Sequence, residues 1–292
     1  MKLIVTGVDG GEGGKDAAAL AVALAAGDDA EVLLTGVWPE TVLPLPLLMG
    51  PQTRPLEEIE RMLLATRADI APRGITRPLS DLSPARALRR TAREEHAGLI
   101  AFGSAASAAP GHARAGRVAR QVLHDAPCAV AIAASGVHGG PVALRRIVVG
   151  IDGGAESEAA LTCARELAGA LGAHLHVLAV LDDKLPLTFG PALPQLQLLT
   201  WEEVVERQRE RADRLIERVR QLEHVTTAEL RVGDPDAELA LAAGDADLVV
   251  VGSRRWGPLS RVVIGSVAER LMRDAPCSLL LVPRPAQEAG ER

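Results

Sequence analysis

Two pentapeptides 149 residues apart are nearly identical: His124-Asp125-Ala126-Pro127-Cys128 and Arg273-Asp274-Ala275-Pro276-Cys277. Each is followed by an apolar run, Ala129–Ala134 and Ser278–Val282. The same offset aligns Gly103-Ser104 with Gly252-Ser253 and Gly116 with Gly265, and an offset of 143 pairs Val8-Asp9-Gly10-Gly11 with Ile151-Asp152-Gly153-Gly154. A period this long means two copies of one domain, not a solenoid of short repeats. A chain of 292 residues then splits into halves of about 140, each able to bury its own core.

Composition narrows the function classes. Hydrophobic residues make up 48% but aromatics only 2%, with no Tyr, so the cores are built from Ala, Val, Leu and Ile and few rings are available to stack on bases. A net charge of −6 argues against sequence-independent nucleic-acid binding, which depends on Lys and Arg neutralising phosphates. Arg207, Arg209, Arg211 and Arg214 alternate with Glu203, Glu206 and Glu210 and read as a solvated helix face. The start, Met1–Gly7, is too short an apolar run for a signal peptide, and no window spans a bilayer. Cys128, Cys163 and Cys277 lack CxxC spacing and are expected to be small buried hydrophobes. A cytoplasmic protein without nucleic-acid or membrane partners is expected.

Periodicity gives the order of elements. In the second half, Arg146–Ile151, His174–Val180, Ala228–Val232, Ala246–Val251 and Cys277–Val282 read as strands. Between them run helical stretches over Glu156–Leu171, from the capping box at Thr200-Trp201-Glu202-Glu203 to about Leu222, from Asp234-Pro235, and over Gly265–Asp274. The first half repeats the scheme, with strands near Lys2–Val8, Glu31–Val37, Ile75–Leu79, Gly98–Phe102 and Cys128–Ala133, and with Ser83-Pro84 answering to Asp234-Pro235. Unbroken apolar strands alternating with helices imply a parallel sheet covered on both faces. The expectation is two doubly wound α/β domains with five-stranded parallel sheets. Residues 1–134 form the first, 135–144 a Gly- and Pro-containing linker, 145–285 the second, and 286–292 a polar tail.

In such sheets ligands bind beyond the carboxyl ends of the strands, where Asp152, Val180 and Gly252 fall. After Gly252 comes a loop with Ser253, Arg254, Arg255 and Gly257, and Gly265-Ser266 opens a helix. Glycines that admit close backbone approach, followed by a helix N-terminus and a hydroxyl, suit a phosphate. The same residues also make a plain glycine-capped turn. A carboxylate at the end of another strand, able to meet a ribose or an adenine edge, weighs toward the ligand.

These residues resemble a known family along nearly the whole chain. Val149-Gly150-Ile151-Asp152-Gly153, Asp247-Leu248-Val249-Val250-Val251-Gly252-Ser253-Arg254 and Gly265-Ser266-Val267-Ala268-Glu269-Arg270, with Ala275-Pro276-Cys277, are similar to a tandem universal stress protein of the UspA type. The resemblance implies a Rossmann-like fold and, in the nucleotide-binding branch, a Gly-x2-Gly-x9-Gly-Ser/Thr pattern holding ATP phosphates, with or without Mg. It places Gly252, Gly265 and Ser266 at the phosphates, with Asp152 and Val180 at ribose and adenine, and Ser253 and Arg255 are further candidate binding residues in the loop after Gly252. Arg255 stands where the pattern has its second glycine, and its side chain either blocks the phosphate approach or replaces backbone contacts with a charged donor. In the first half Asp9, Val37, Gly103 and Gly116 match, but Ala106 replaces the second glycine and Arg117 the hydroxyl. The second half is therefore the better site. The resemblance also implies non-catalytic, ATP-responsive stress regulation, pairing of the two halves through their last strands, and room for a homodimer. The competing reading is a protein-interaction scaffold that needs no nucleotide.

Two further signals carry less. Glu12-Gly13-Gly14-Lys15-Asp16-Ala17 is similar to the Ser-Gly-Gly-x-Asp-Ser loop of ATP pyrophosphatases but lacks both serines. His174 and His176 share a strand face without a neighbouring acid or Cys in sequence, so they are expected to be ordinary polar strand positions.

Overall fold

The computed structural model describes residues 2–38, 55–182, 201–253 and 265–283. The first half runs β1 (Leu3–Gly7), α1 (Glu12–Ala25), β2 (Glu31–Trp38), α2 (Pro55–Asp69), β3 (Ile75–Ser80), α3 (Pro84–Glu94), β4 (Leu99–Phe102), α4 (Arg117–Leu123) and β5 (Ala129–Ile132). The second runs β6 (Arg146–Ile151), α5 (Ala155–Leu171), β7 (His174–Leu181), α6 (Trp201–Arg220), β8 (Thr227–Val232), α7 (Pro235–Ala243), β9 (Leu248–Ser253), α8 (Ser266–Arg273) and β10 (Ser278–Pro283). Both halves have the expected doubly wound α/β order.

The strands join in one ten-stranded sheet, β3-β2-β1-β4-β5-β10-β9-β6-β7-β8. Within each half every neighbour is parallel. The seam is antiparallel, with Val130 opposite Leu281, Ala131 opposite Leu280 and Ile132 opposite Leu279. The last strands thus pair with each other, and each removes the exposed edge of the other. Strand residues alternate between two apolar layers. One face packs under α1, α2, α5 and α6, the other under α3, α4, α7 and α8. With aromatics scarce, helices approach closely through Ala and Gly: a Cβ on Gly27 would lie 2.7 Å from that of Ala170 on α5.

Local signals in the sequence explain several helix starts. Ser83 accepts the Arg86 N–H at 3.4 Å and Asp234 the Asp236 N–H at 3.1 Å, each just before a proline that opens its helix. These are N-caps followed by Pro at the first helical position. Gly265 and Asp274 flank α8 as its caps and are not part of it. The capping box at Thr200 lies outside the described residues.

The stretch between the halves is held to the protein. It forms a 3₁₀ turn, Val137–Gly139, whose backbone donates to the Asp16 carboxylate from Gly136 (2.9 Å) and His138 (3.0 Å). The His138 ring places Nδ1 2.6 Å from Asp16 and Nε2 2.8 Å from Glu12. Asp16 is therefore a buried anchor for the linker, with Glu12 beside it.

Candidate functional site

β6 ends at Ile151, and Asp152 turns the chain into α5. Its Oδ1 accepts the Gly154 N–H at 2.8 Å while Gly153 sits at φ +75°, where glycine is unstrained. The first half repeats the turn: Asp9 Oδ1 accepts the Gly11 N–H at 3.0 Å and Gly10 has φ +82°. Each aspartate thus braces an anionic oxygen on the N-terminal turn of a helix, a favourable end for negative charge.

Beyond the strand ends of the second half lies a cavity of about 290 Å³. Asp152, Val180, Gly252, Gly265 and Ser266 all line it, brought there from β6, β7, β9 and the start of α8. Leu178, Leu239 and Val251 form its apolar floor, and Glu156 and Asp182 add two carboxylates. Neither was foreseen, although Glu156, four residues past Asp152 on the first turn of α5, could have been placed by helical spacing. Asp236, on the first turn of α7 beside the cavity, has its carboxyl held above the usual range by burial and by Asp234, with Asp182 adding to this and Arg270 opposing it. Among the described residues, Asp152, Glu156, Asp182, Asp234 and Asp236 thus gather at this end of the sheet.

Ser253, a candidate binding residue, is not among the residues that line the cavity. It is buried, and its hydroxyl donates to the Val282 carbonyl at 3.4 Å. Ser104, which does line the first-half cavity, makes the matching bond, donating to the Ala133 carbonyl at 2.7 Å. This hydroxyl ties the end of the fourth strand of each half to the last strand. Arg255 lies outside the described residues.

The equivalent cavity of the first half measures about 430 Å³ and is lined by Asp9, Val37, Gly103, Ala106, Gly116 and Arg117, among others. The amides of the loop following β4 are largely committed. Ala105 donates to Arg114, Gly111 to Ser135, Ala113 to Ala275 and Ala115 to Met272, while Arg114 donates to Ser104 Oγ. Much of the loop's docking on the second half uses backbone groups, which leave no residue-type signature.

The glycines at these turns have different causes. A Cβ on Gly103 would lie 1.8 Å from the Gly13 carbonyl oxygen, and one on Gly252 2.5 Å from that of Glu156. Both are required by close packing on the first turn of a helix. Gly116 differs: its φ is −74°, which any residue adopts, and its Cβ would meet nothing within 4 Å. Neither backbone nor packing demands glycine there.

His176 does have an acidic neighbour, Glu229 at 3.2 Å, supplied by the adjacent strand β8 and so invisible to sequence spacing. Among the described residues no group of three or more His, Cys, Asp or Glu is placed to hold a metal ion, and no helix is long and apolar enough to cross a membrane.

A sequence model of the universal stress protein family matches residues 1–134 and 143–283, and the chain belongs to that family. A universal stress protein of Methanocaldococcus jannaschii, MJ0531, is 29% identical over 150 residues, covering 49% of this chain and 85% of that protein. One from Thermus aquaticus is 30% identical over 142 residues, 47% of this chain and 98% of its own. Such relatives correspond to a single half. Solved structures match the whole: a putative universal stress protein from Pseudomonas aeruginosa UCBPP-PA14 aligns with TM-score 0.67 and 17% identity, over 97% of this chain and 93% of its own. A universal stress protein from Archaeoglobus fulgidus gives TM-score 0.61 and 16% identity over 97% and 98%. At these identities the likeness concerns the fold.

Proposed function

We infer that this chain is a non-catalytic, adenine-nucleotide-binding regulatory protein of the stress response, with its nucleotide site in the second half. The observation that carries this reading is the convergence of Asp152, Val180, Gly252, Gly265 and Ser266 on one cavity from separate elements. Apolar walls with a few converging polar groups are what a small-ligand site requires. Asp152 suits a ribose hydroxyl, Val180 an adenine face, and Ser266 with the α8 N-terminus a phosphate.

Magnesium fits the charge balance of this reading. A triphosphate carries its own concentrated negative charge, which a divalent cation offsets, and carboxylates line the cavity. The nucleotide is therefore expected as its magnesium complex. Binding acts by linkage: a ligand at a hundredfold its Kd stabilises the state that holds it by about 2.7 kcal/mol, with no chemical step. Three unpaired thiols accord with a reducing compartment, and we assign the protein to the cytoplasm.

The scaffold reading draws support from the first half, where the Ala113 and Ala115 amides are committed to the other half. Native mass spectrometry of the purified protein, with thermal shifts in millimolar ATP with and without magnesium, tests the assignment. The expected result is co-purified adenine nucleotide and a magnesium-dependent shift. Absence of both refutes it.

A further inference from the structure

α8 runs from the second-half cavity to the loop that lines the first-half one. Its N-terminal residues, Ser266, Val267 and Ala268, line the second-half cavity, and its other end is fastened to the first half. There the Met272 carbonyl accepts the Ala115 N–H at 2.8 Å and Arg120 Nη2 at 3.2 Å. The turn just beyond it is held too. Asp274 Oδ1 lies 3.0 Å from His112 Nδ1, and Ala113 and Ala275 exchange two backbone hydrogen bonds of 2.8 and 2.9 Å.

The segment making these contacts belongs to the first cavity. Ser104, Ala105 and Ala106 line that cavity where the loop leaves β4, and Gly116 and Arg117 line it where the loop enters α4. The loop is braced internally by the Ser104–Ala115 bridge and by the Ala105 N–H to Arg114 carbonyl bond at 2.9 Å. A braced loop transmits a shift of its clamped side to both of its ends, because packed elements move as units.

We propose that α8 acts as a strut coupling the two cavities, so that a ligand held at Ser266 tightens the 104–117 loop and alters the first cavity. This rests on the nucleotide reading of the second cavity and adds that occupancy there is sensed in the other half. Coupling needs an element whose state both sites bias, and a helix touching one cavity and clamped to the wall of the other is such an element.

Hydrogen exchange on the full chain, with and without saturating magnesium ATP, tests it. Amides of 104–117 are expected to exchange about fivefold or more slowly with nucleotide, the low end of ordinary coupling energies, alongside protection in 150–157 and 265–273. Protection in the second-half segments alone overturns the coupling and leaves the nucleotide reading standing. Protection nowhere overturns both. In Gly265→Arg, which places a long side chain in the second cavity, the loop response is expected to vanish. If it persists, ATP acts directly at the first cavity and the strut is refuted. Ala113→Pro removes one clamp hydrogen bond, and His112→Ala combined with Arg120→Ala removes the side-chain ties while leaving the backbone intact. An undiminished loop response in both also refutes the proposal.

Discussion

Asp16 and His138, 122 residues apart, meet with Asp16 Oδ1 2.6 Å from His138 Nδ1, and the same carboxylate accepts the Gly136 and His138 backbone N–H groups. The side chain of Asp16 is only 2% exposed, so its charge is balanced by these donors alone among the contacts described. Asp16→Ala would strand two backbone donors and release the 3₁₀ turn. A loss of about 3 kcal/mol is expected, given 1–3 kcal/mol for each buried group left unpaired. Urea unfolding at neutral pH measures it, and a loss below 1 kcal/mol would show that the linker is not anchored here.

The glycines of the strand-end turns separate by cause. Gly103→Ala must push α1 away from β4 and is expected to cost about 3 kcal/mol, at the upper end for overpacking. Gly116→Ala is expected to stay within about 0.5 kcal/mol of the parent, as surface changes without a special contact do. Paired thermal melts of the two variants decide whether packing explains the first and not the second.

Ser266→Ala removes one hydroxyl at the start of α8 without enlarging a side chain. Loss of a single hydrogen bond worth about 1 kcal/mol lowers ATP affinity roughly fivefold, with the unfolding midpoint of the unliganded protein little changed. Ser253→Ala, by contrast, is expected to lower stability and leave affinity alone, because its hydroxyl holds Val282. Calorimetric titration of both variants would expose an exchange of these roles.

Acid sensitivity should trace in part to Asp81. Its side chain is 2% exposed and lies 2.6 Å from Arg86 and 3.1 Å from Arg90. The hydrogen bond from Arg86, then that from the Ser83 N–H, holds its carboxyl below the usual range. A carboxyl whose folded pKa is depressed contributes stability that is present above its unfolded value, about 3.9, and lost as the pH falls through the folded value. Asp81→Asn is therefore expected to be less stable than the parent at pH 7, with the gap closing below about pH 4. A gap that stays constant from pH 7 to pH 3 would remove Asp81 from the account.

The thiols should be inert. Burial pushes Cys128 to about 12, Cys163 to about 11 and Cys277 to about 12, and the thiolate is the reactive form. An aromatic disulfide reagent at pH 8 is expected to modify none of the three within minutes in the native protein and all three in denaturant. Rapid native reaction of one thiol would identify a redox site.

The frame of this protein was legible because it depends on residue type. Apolar runs such as Leu248–Val251 mark strands buried on both faces, Ser83-Pro84 and Asp234-Pro235 mark helix starts, and the repeated Ala-Pro-Cys marks the strands that meet at the seam. The positions of Asp152, Val180, Gly265 and Ser266 at strand and helix ends followed from the same pattern. What stayed hidden depends on geometry across the sheet. The inward turn of Ser253, the Glu229 neighbour of His176 and the hold of His138 on Asp16 each join residues far apart in sequence. The grip of Ala113 on Ala275 uses backbone atoms that every residue has. The causes of Gly103 and Gly116 differ although the letter is the same, since one meets a carbonyl and the other open space.

The antiparallel pairing of Ala131 with Leu280 also settles who each half's neighbour is. In an assembly of identical subunits, any substitution appears on both sides of the seam and at every cavity at once. Here each half meets one fixed, non-identical companion, tethered at a stoichiometry of one to one. A change such as Arg117 in place of a hydroxyl is therefore confined to a single cavity, and the opposite cavity keeps Ser266. Joining the strands within one chain makes division of labour between the halves physically attainable.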